Sequence, residues 1–266
     1  MLIGVLGPLV SSVGETSIVP SAAKPRQLLA LLGANLGRPV GMGEIVEELW
    51  DDAPPRGPSG VVQTYVKQLR RSIAVALAPG LGCGAKDILR LANTGYRLEL
   101  PGVTAEAHEF EERARAGTRA LAEGEDEAAS VLLGEALSLW RGVAFADVRT
   151  GPFLRAEALR LEELRIAAQE NRITAELRLG HHAGLVSELT ALTSRLPFHE
   201  NLHGQLILAL YRSGRTTEAL EVFRRLREAY ARELGIEPSP RLQRLHRSVL
   251  AADPGLDSKA PNFAAF

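Results

Sequence analysis

The chain has 266 residues, 45% of them hydrophobic and 24% charged, with a formal net charge of −1 at pH 7. That is ordinary globular material, enough for about two domains, and it excludes a globally basic protein that coats nucleic acid by charge alone. The sequence has no uninterrupted apolar span of membrane length, and Met1-Leu2-Ile3-Gly4 places no basic segment before an apolar core, so neither a membrane partner nor a secretory signal is expected.

Cysteine usage agrees. Cys83 is the one cysteine, so no intrachain disulfide can form, and a cytoplasmic, nucleoid-associated location is expected. It falls in Gly80-Leu81-Gly82-Cys83-Gly84, which reads as a flexible linker carrying an incidental thiol.

In chain order, the short apolar runs Leu2–Leu6 and Ser17–Val19 flank a glycine-containing turn and read as strands. A helix follows from Pro25, a residue suited to a first turn, to Asn35, with Leu28, Leu29, Leu31 and Leu32 as its apolar content. After the turn Gly37–Gly41, a second helix, Met42–Trp50, is expected to bury Ile45, Val46 and Leu49 and to expose Glu44, Glu47 and Glu48. The Pro/Gly-rich loop 51–58 then leads into Val61-Val62-Gln63-Thr64-Tyr65-Val66-Lys67-Gln68-Leu69-Arg70-Arg71.

In that segment Val62, Val66, Leu69 and Ile73 recur at helical spacing, so one face seeks a core. Thr64, Lys67, Gln68 and Arg71 fall on the opposite face, with Gln63 and Arg70 on its margin. Such a helix suits the major groove. Gln63 and Gln68 can each offer a donor and an acceptor to a base edge, and Thr64 a methyl to thymine or a hydroxyl to base or phosphate. Lys67, Arg70 and Arg71 supply phosphate contacts, with one arginine available to guanine. Arg71 could equally pair with a neighbouring acid. Downstream, Leu89 and Leu91 alternate with charged or small residues, as do Tyr96, Leu98 and Leu100, around the turn Asn93-Thr94-Gly95. Strands, three helices and a hairpin in that order describe a winged helix-turn-helix, with Tyr96 suited to anchoring the wing. Over residues 56–97 the cations Arg56, Lys67, Arg70, Arg71, Lys86, Arg90 and Arg97 stand against Asp87 alone, a basic footprint in a near-neutral chain.

Beyond Pro101-Gly102 the chain turns to long Ala/Leu/Arg/Glu helices. Gly180 and Gly214 lie 34 residues apart. Gly214, Ala219, Phe223 and Leu226 match the offsets of Gly180, Leu185, Leu189 and Leu192, and Gly124, Ala129, Leu133 and Ala136 fit the same spacing. An insertion with Trp140, Phe145 and Pro152 follows this first copy. The fold expected is therefore an α+β N-terminal winged helix-turn-helix followed by an all-α tetratricopeptide-like helical-repeat domain. The boundaries expected are 1–102 for the first, 103–252 for the second and 253–266 for a tail.

Two sets of motifs carry a resemblance. Glu48-Leu49-Trp50, Val62 to Arg71 and Thr94-Gly95-Tyr96-Arg97 resemble the DNA-binding domain of winged-helix response regulators. Leu139-Trp140-Arg141-Gly142, Phe153-Leu154-Arg155-Ala156-Glu157, Ala209 to Arg215 and Glu233-Leu234-Gly235-Ile236-Glu237-Pro238 resemble the bacterial transcriptional activation domain. Together, over about residues 2–250, they resemble the Streptomyces antibiotic regulatory protein family. The resemblance implies an activator of secondary-metabolite gene clusters that binds direct repeats in double-stranded promoter DNA as side-by-side protomers, a homodimer on DNA. It also implies engagement of RNA polymerase holoenzyme with its sigma factor. By position it implies DNA contacts for Gln63, Thr64, Lys67, Gln68 and Arg70, a wing role for Arg90, Thr94 and Tyr96, and a phosphate donor in Trp50. The loop Asp51–Ser59, with Asp51, Asp52 and Arg56, is the implied polymerase contact. Some relatives carry a wing arginine where this chain has Ala92, which puts minor-groove insertion there in doubt and leaves Asn93 or Arg90 to compensate.

Enzyme chemistry is not expected. The sequence lacks a Gly-x-x-x-x-Gly-Lys-Ser/Thr loop, a Gly-x-Ser-x-Gly elbow and a His-Glu-x-x-His helix, and His181-His182 reads as surface residues beside a repeat turn. No cofactor, metal or phosphoacceptor receiver is expected. The alternative reading is a helical-repeat adaptor, or a ligand sensor with its pocket near Trp140–Pro152, whose winged helix no longer binds DNA.

Overall fold

The structure is a computed structural model that describes residues 2–77, 84–99 and 105–257; Cys83 with its linker, the Pro101-Gly102 boundary and the tail after 257 lie outside them. The chain forms two compact units, one of Met1–Ala114 with Glu135–Ile166 and one of Arg115–Gly134 with Ala167–Phe266.

In the first unit, β1 (Leu2–Gly4), β2 (Val10–Val13) and β3 (Thr16–Ser17) form an antiparallel sheet in that order, Ile3 opposite Ser11 and Ser12 opposite Ser17. The expected first strand stops early because Val5, Leu6 and Gly7 bond elsewhere. Their carbonyls accept from the backbone N–H groups of Phe145 (3.0 Å), Arg141 (2.8 Å) and Ala146 (3.2 Å). The second expected strand, Ser17–Val19, is displaced to Thr16–Ser17 and shares only Ser17 with it, and β2 was missed because Val10-Ser11-Ser12-Val13 has no period-two apolar pattern.

α1 (Ala23–Ala34) carries Pro25 in its first turn, where no backbone donor is needed, and buries Leu28, Leu29, Leu31 and Leu32. α2 spans Met42–Trp50 as expected and buries Ile45 and Leu49. α3 (Pro58–Ala76) is longer than its motif: Gly57 at φ 66° turns the chain and Pro58 opens the helix. Val62, Val66, Leu69 and Ile73 are all buried on its inner face. After the short α4 (Ala85–Ile88), β5 (Leu89–Leu91) and β6 (Gly95–Leu98) form the wing, Arg90 opposite Arg97.

β4 (Val40–Gly41) joins the wing as a third strand, giving the order β4-β6-β5 with Val40 opposite Tyr96. Two residues whose partner lies more than fifty positions away leave no local signal. This pairing also explains Gly95, since a Cβ there would run into the Val40 carbonyl and stand 2.9 Å from Met42 N. Gly95→Ala is expected to destabilise the protein by about 1–3 kcal/mol, readable as a lower urea midpoint.

Glu48 corrects the sequence reading. It was expected on an exposed face, yet it is only 1% exposed. Its carboxylate accepts from the backbone N–H groups of Gly151 (2.7 Å), Phe153 (2.9 Å) and Leu154 (3.1 Å), and from the Gln27 amide (3.0 Å). Those backbone donors belong to the entry and first turn of α7 (Pro152–Leu179), which have no carbonyl partner inside their own helix. Glu48-Leu49-Trp50 and Phe153-Leu154-Arg155-Ala156-Glu157 are thus two halves of one contact.

The insertion after the first repeat copy is fastened to the same unit. Glu106 accepts from Leu6 N (3.0 Å) and pairs with Arg141. Asp147 accepts from Leu9 N (2.6 Å) and pairs with Arg26 (3.0 Å). Trp140 meets Phe110 edge-on at 5.4 Å, with the Arg165 guanidinium 4.5 Å over its ring.

The helices α5 (Glu106–Glu123), α6 (Asp126–Ser138) and α7 contribute residues to both units. The second unit continues with α8 (His182–Arg195), α9 (Glu200–Arg212), α10 (Thr216–Ala229), a π turn (Tyr230–Leu234) and α11 (Pro240–Leu250). The three repeat glycines Gly124, Gly180 and Gly214 take φ of 80°, 91° and 73°, the left-handed turn the repeat reading requires. Ala129, Leu133, Leu185, Leu189, Leu192, Ala219, Phe223 and Leu226 are all buried. Among the described residues, no helix is long and apolar enough to cross a membrane.

Candidate nucleic-acid interface

α3 separates its residues as its periodicity dictates. With Val62, Val66, Leu69 and Ile73 turned inward, Gln63, Thr64, Lys67, Gln68 and Arg71 are exposed. The Thr64 hydroxyl donates to the Gly60 carbonyl (3.0 Å), which leaves its methyl and lone pairs outward. Among the described residues, no hydrogen bond or ion pair engages the side chains of Gln63, Lys67, Gln68 or Arg71, so the acid that could have neutralised Arg71 is not there. Val75, 79% exposed, lies on the same helical stripe as Thr64, Gln68 and Arg71.

The margin of the helix differs. Arg70 is half-buried, and its Nε and Nη2 donate to the Leu89 carbonyl at 3.0 and 2.8 Å. On the wing, Glu99 pairs with Arg90 (3.1 Å) and with Arg97 (2.7 Å). Glu99 lies just beyond the window over which the basic footprint was counted, so the wing is less cationic than residues 56–97 suggest. Asn93 and Thr94 are exposed at the tip, and the Thr94 carbonyl accepts from Met42 N at 2.7 Å. Tyr96 is buried and anchors the wing. Leu89 is buried as its alternation requires, but Leu91 is 71% exposed.

Trp50 is half-buried, stacked on Tyr65 at 6.3 Å with the Lys24 ammonium 5.9 Å over its ring. Burial, together with the charge of Arg149, holds the Lys24 ammonium below its ordinary pKa. The following loop turns through Asp51 at φ 54°, and Asp51, Asp52 and Arg56 are exposed. The loop joins the end of α2 to the start of α3. Among the described residues, no group of three or more His, Cys, Asp or Glu is placed to hold a metal ion; His181 bonds Glu176 at 2.7 Å.

Residues 16–98 match the family described as the C-terminal domain of transcriptional regulatory proteins, and residues 106–250 match the bacterial transcriptional activator domain. The regulatory protein DnrI of Streptomyces peucetius is 46% identical over 265 residues, covering 100% of this chain and 97% of that protein. The chain belongs to the Streptomyces antibiotic regulatory protein family.

Other relatives include the transcriptional regulator RedD of Streptomyces coelicolor, 33% identical over 96% of this chain and 71% of that protein. EmbR of Mycobacterium tuberculosis, solved in complex with a low-affinity phosphopeptide, superposes with a TM-score of 0.88 at 35% identity, over 99% of this chain and 69% of that one. By sequence, the chain spans 64% of the length of EmbR and 24% of that of the regulatory protein AfsR of Streptomyces coelicolor. The chain is a DNA-binding transcriptional activator of the antibiotic-regulator kind, of a family that acts on DNA and RNA polymerase.

Proposed function

We propose that α3 enters the major groove of a promoter direct repeat, with Gln63, Thr64 and Gln68 on base edges and Lys67 and Arg71 on phosphates. Asn93 and Thr94 at the wing tip and the Trp50 indole lie on the flanks of the same contact, and Tyr96 acts by holding the wing in shape. The observation that carries this reading is the uncommitted polar face of α3, backed by a buried apolar one. One such helix reads few base pairs, so two protomers side by side on repeated half-sites supply the remaining specificity. Footprinting of the full chain on the upstream regions of neighbouring genes tests this. The expected pattern is two protected half-sites in the same orientation, centred about one or two turns apart, with ~10–10.5 bp per turn. Half-sites in inverted orientation would contradict it.

The exposed loop between α2 and α3 is the surface offered to RNA polymerase holoenzyme and its sigma factor. Its carboxylates and Arg56 contact neither the reading helix nor the wing by any hydrogen bond or ion pair among the described residues. The triple variant D51A/D52A/R56A is expected to keep operator affinity within about twofold, as surface changes do. Activated transcription in a purified run-off assay should fall to the basal level. Equal loss of both would place the loop in DNA binding instead.

A further inference from the structure

We infer that Arg70 is a positioning residue: its guanidinium locks the wing to the reading helix rather than contacting phosphate. The inference deepens the groove-reading proposal and rests on it for its consequence in DNA binding, but its structural part stands alone. Arg70 follows the buried Leu69 and precedes the uncommitted Arg71, so it leaves α3 at the boundary between core and groove faces. Two of its nitrogens are spent on a single acceptor, the Leu89 carbonyl, at 3.0 and 2.8 Å.

That acceptor is one the sheet cannot satisfy. β5 is an edge strand of the order β4-β6-β5. In an antiparallel pair, residues alternate between exchanging both hydrogen bonds with their opposite number and turning both groups away. Ala92 and Gly95 exchange bonds at 2.9 and 3.3 Å, and Glu99 N donates to Ile88 O at 2.7 Å. Counting back along the register from Ala92, the pair Leu89–Leu98 is of the non-bonded kind, so the Leu89 carbonyl faces away from β6. An outward carbonyl at the base of the hairpin is met by a planar two-pronged donor rooted in α3. The fork geometry fixes both distance and tilt, which a point charge would not. The wing's pitch against the groove is thereby set by the reading helix itself, while Glu99 holds the other two wing arginines close to their own strands.

Amide hydrogen exchange on the full chain without DNA tests the structural part, and binding to a duplex of arbitrary sequence tests its consequence. In Arg70→Ala the amides of Ala92, Gly95 and Glu99 are expected to exchange about ten- to a hundredfold faster, as loss of a charge-assisted bond pair implies. Those of Val66 and Leu69 should be unchanged, and duplex binding should weaken. Arg70→Lys, which keeps the charge but loses the fork, is expected to loosen the wing and weaken binding in the same direction, and it serves if the alanine variant does not fold. Unchanged wing exchange, with binding lost in Arg70→Ala and restored in Arg70→Lys, would make Arg70 a phosphate contact and overturn the inference. So would faster exchange with unaltered binding. If the unaltered protein binds no duplex at all, the groove-reading proposal falls, and exchange still decides what Arg70 holds.

Discussion

Replacing Glu48 by alanine is expected to lower the unfolding free energy by about 3–5 kcal/mol, because several donors lose their acceptor at ~1–3 kcal/mol each and water repairs only part of the loss. Three are backbone N–H groups at the entry and first turn of α7 and the fourth is the Gln27 amide. The substitution also removes a negative charge from a helix N-terminus. Glu48→Gln keeps the shape but retains one acceptor oxygen and adds an NH2 group facing donors, so about half the loss is expected. Glu47→Ala, one position earlier and exposed, should change stability by less than ~0.5 kcal/mol. Urea unfolding followed by circular dichroism ranks the three, and equal effects at positions 47 and 48 would remove Glu48 from the account.

The second large effect is on sequence discrimination. Gln68→Ala is expected to cost about 1–3 kcal/mol on the operator and to relax preference at one base position, with little change on duplex of arbitrary sequence. Lys67→Ala should behave in the opposite way, weakening all duplexes alike. The contrast follows from the exposed face of α3, where a neutral amide that can both donate and accept stands beside a cation that can only attract. Competition binding with single-base operator variants separates the two. If Gln68→Ala weakened every duplex equally, it would be a backbone contact.

Where the sequence was informative, the cause was periodicity. The bounds of α2, the buried face Val62–Val66–Leu69–Ile73 and the left-handed glycines of the three repeat turns all follow from local spacing. What escaped notice depends on partners distant in the chain. β4 is two residues long and exists only because β6 lies against it. Glu48 occupies a position that a helical wheel assigns to solvent, and its backbone donors come more than a hundred residues later. Arg70 carries the charge of a phosphate contact, but a carbonyl in the wing has claimed it. Glu99 lies two residues outside the basic strip that it partly neutralises. Composition could mark the basic strip, but it could not say which of its cations are already engaged within the fold.

The central claim is that the uncommitted face of α3 is what meets DNA. The dependence of duplex affinity on salt, measured for the full chain and for the double variant K67A/R71A, tests it most directly. Each phosphate contact contributes about 0.9 to the slope of log K against log salt concentration, so the variant's slope should be shallower by ~1.8 for each protomer bound and its affinity lower at every salt concentration. An unaltered slope and affinity in a folded double variant would contradict the account.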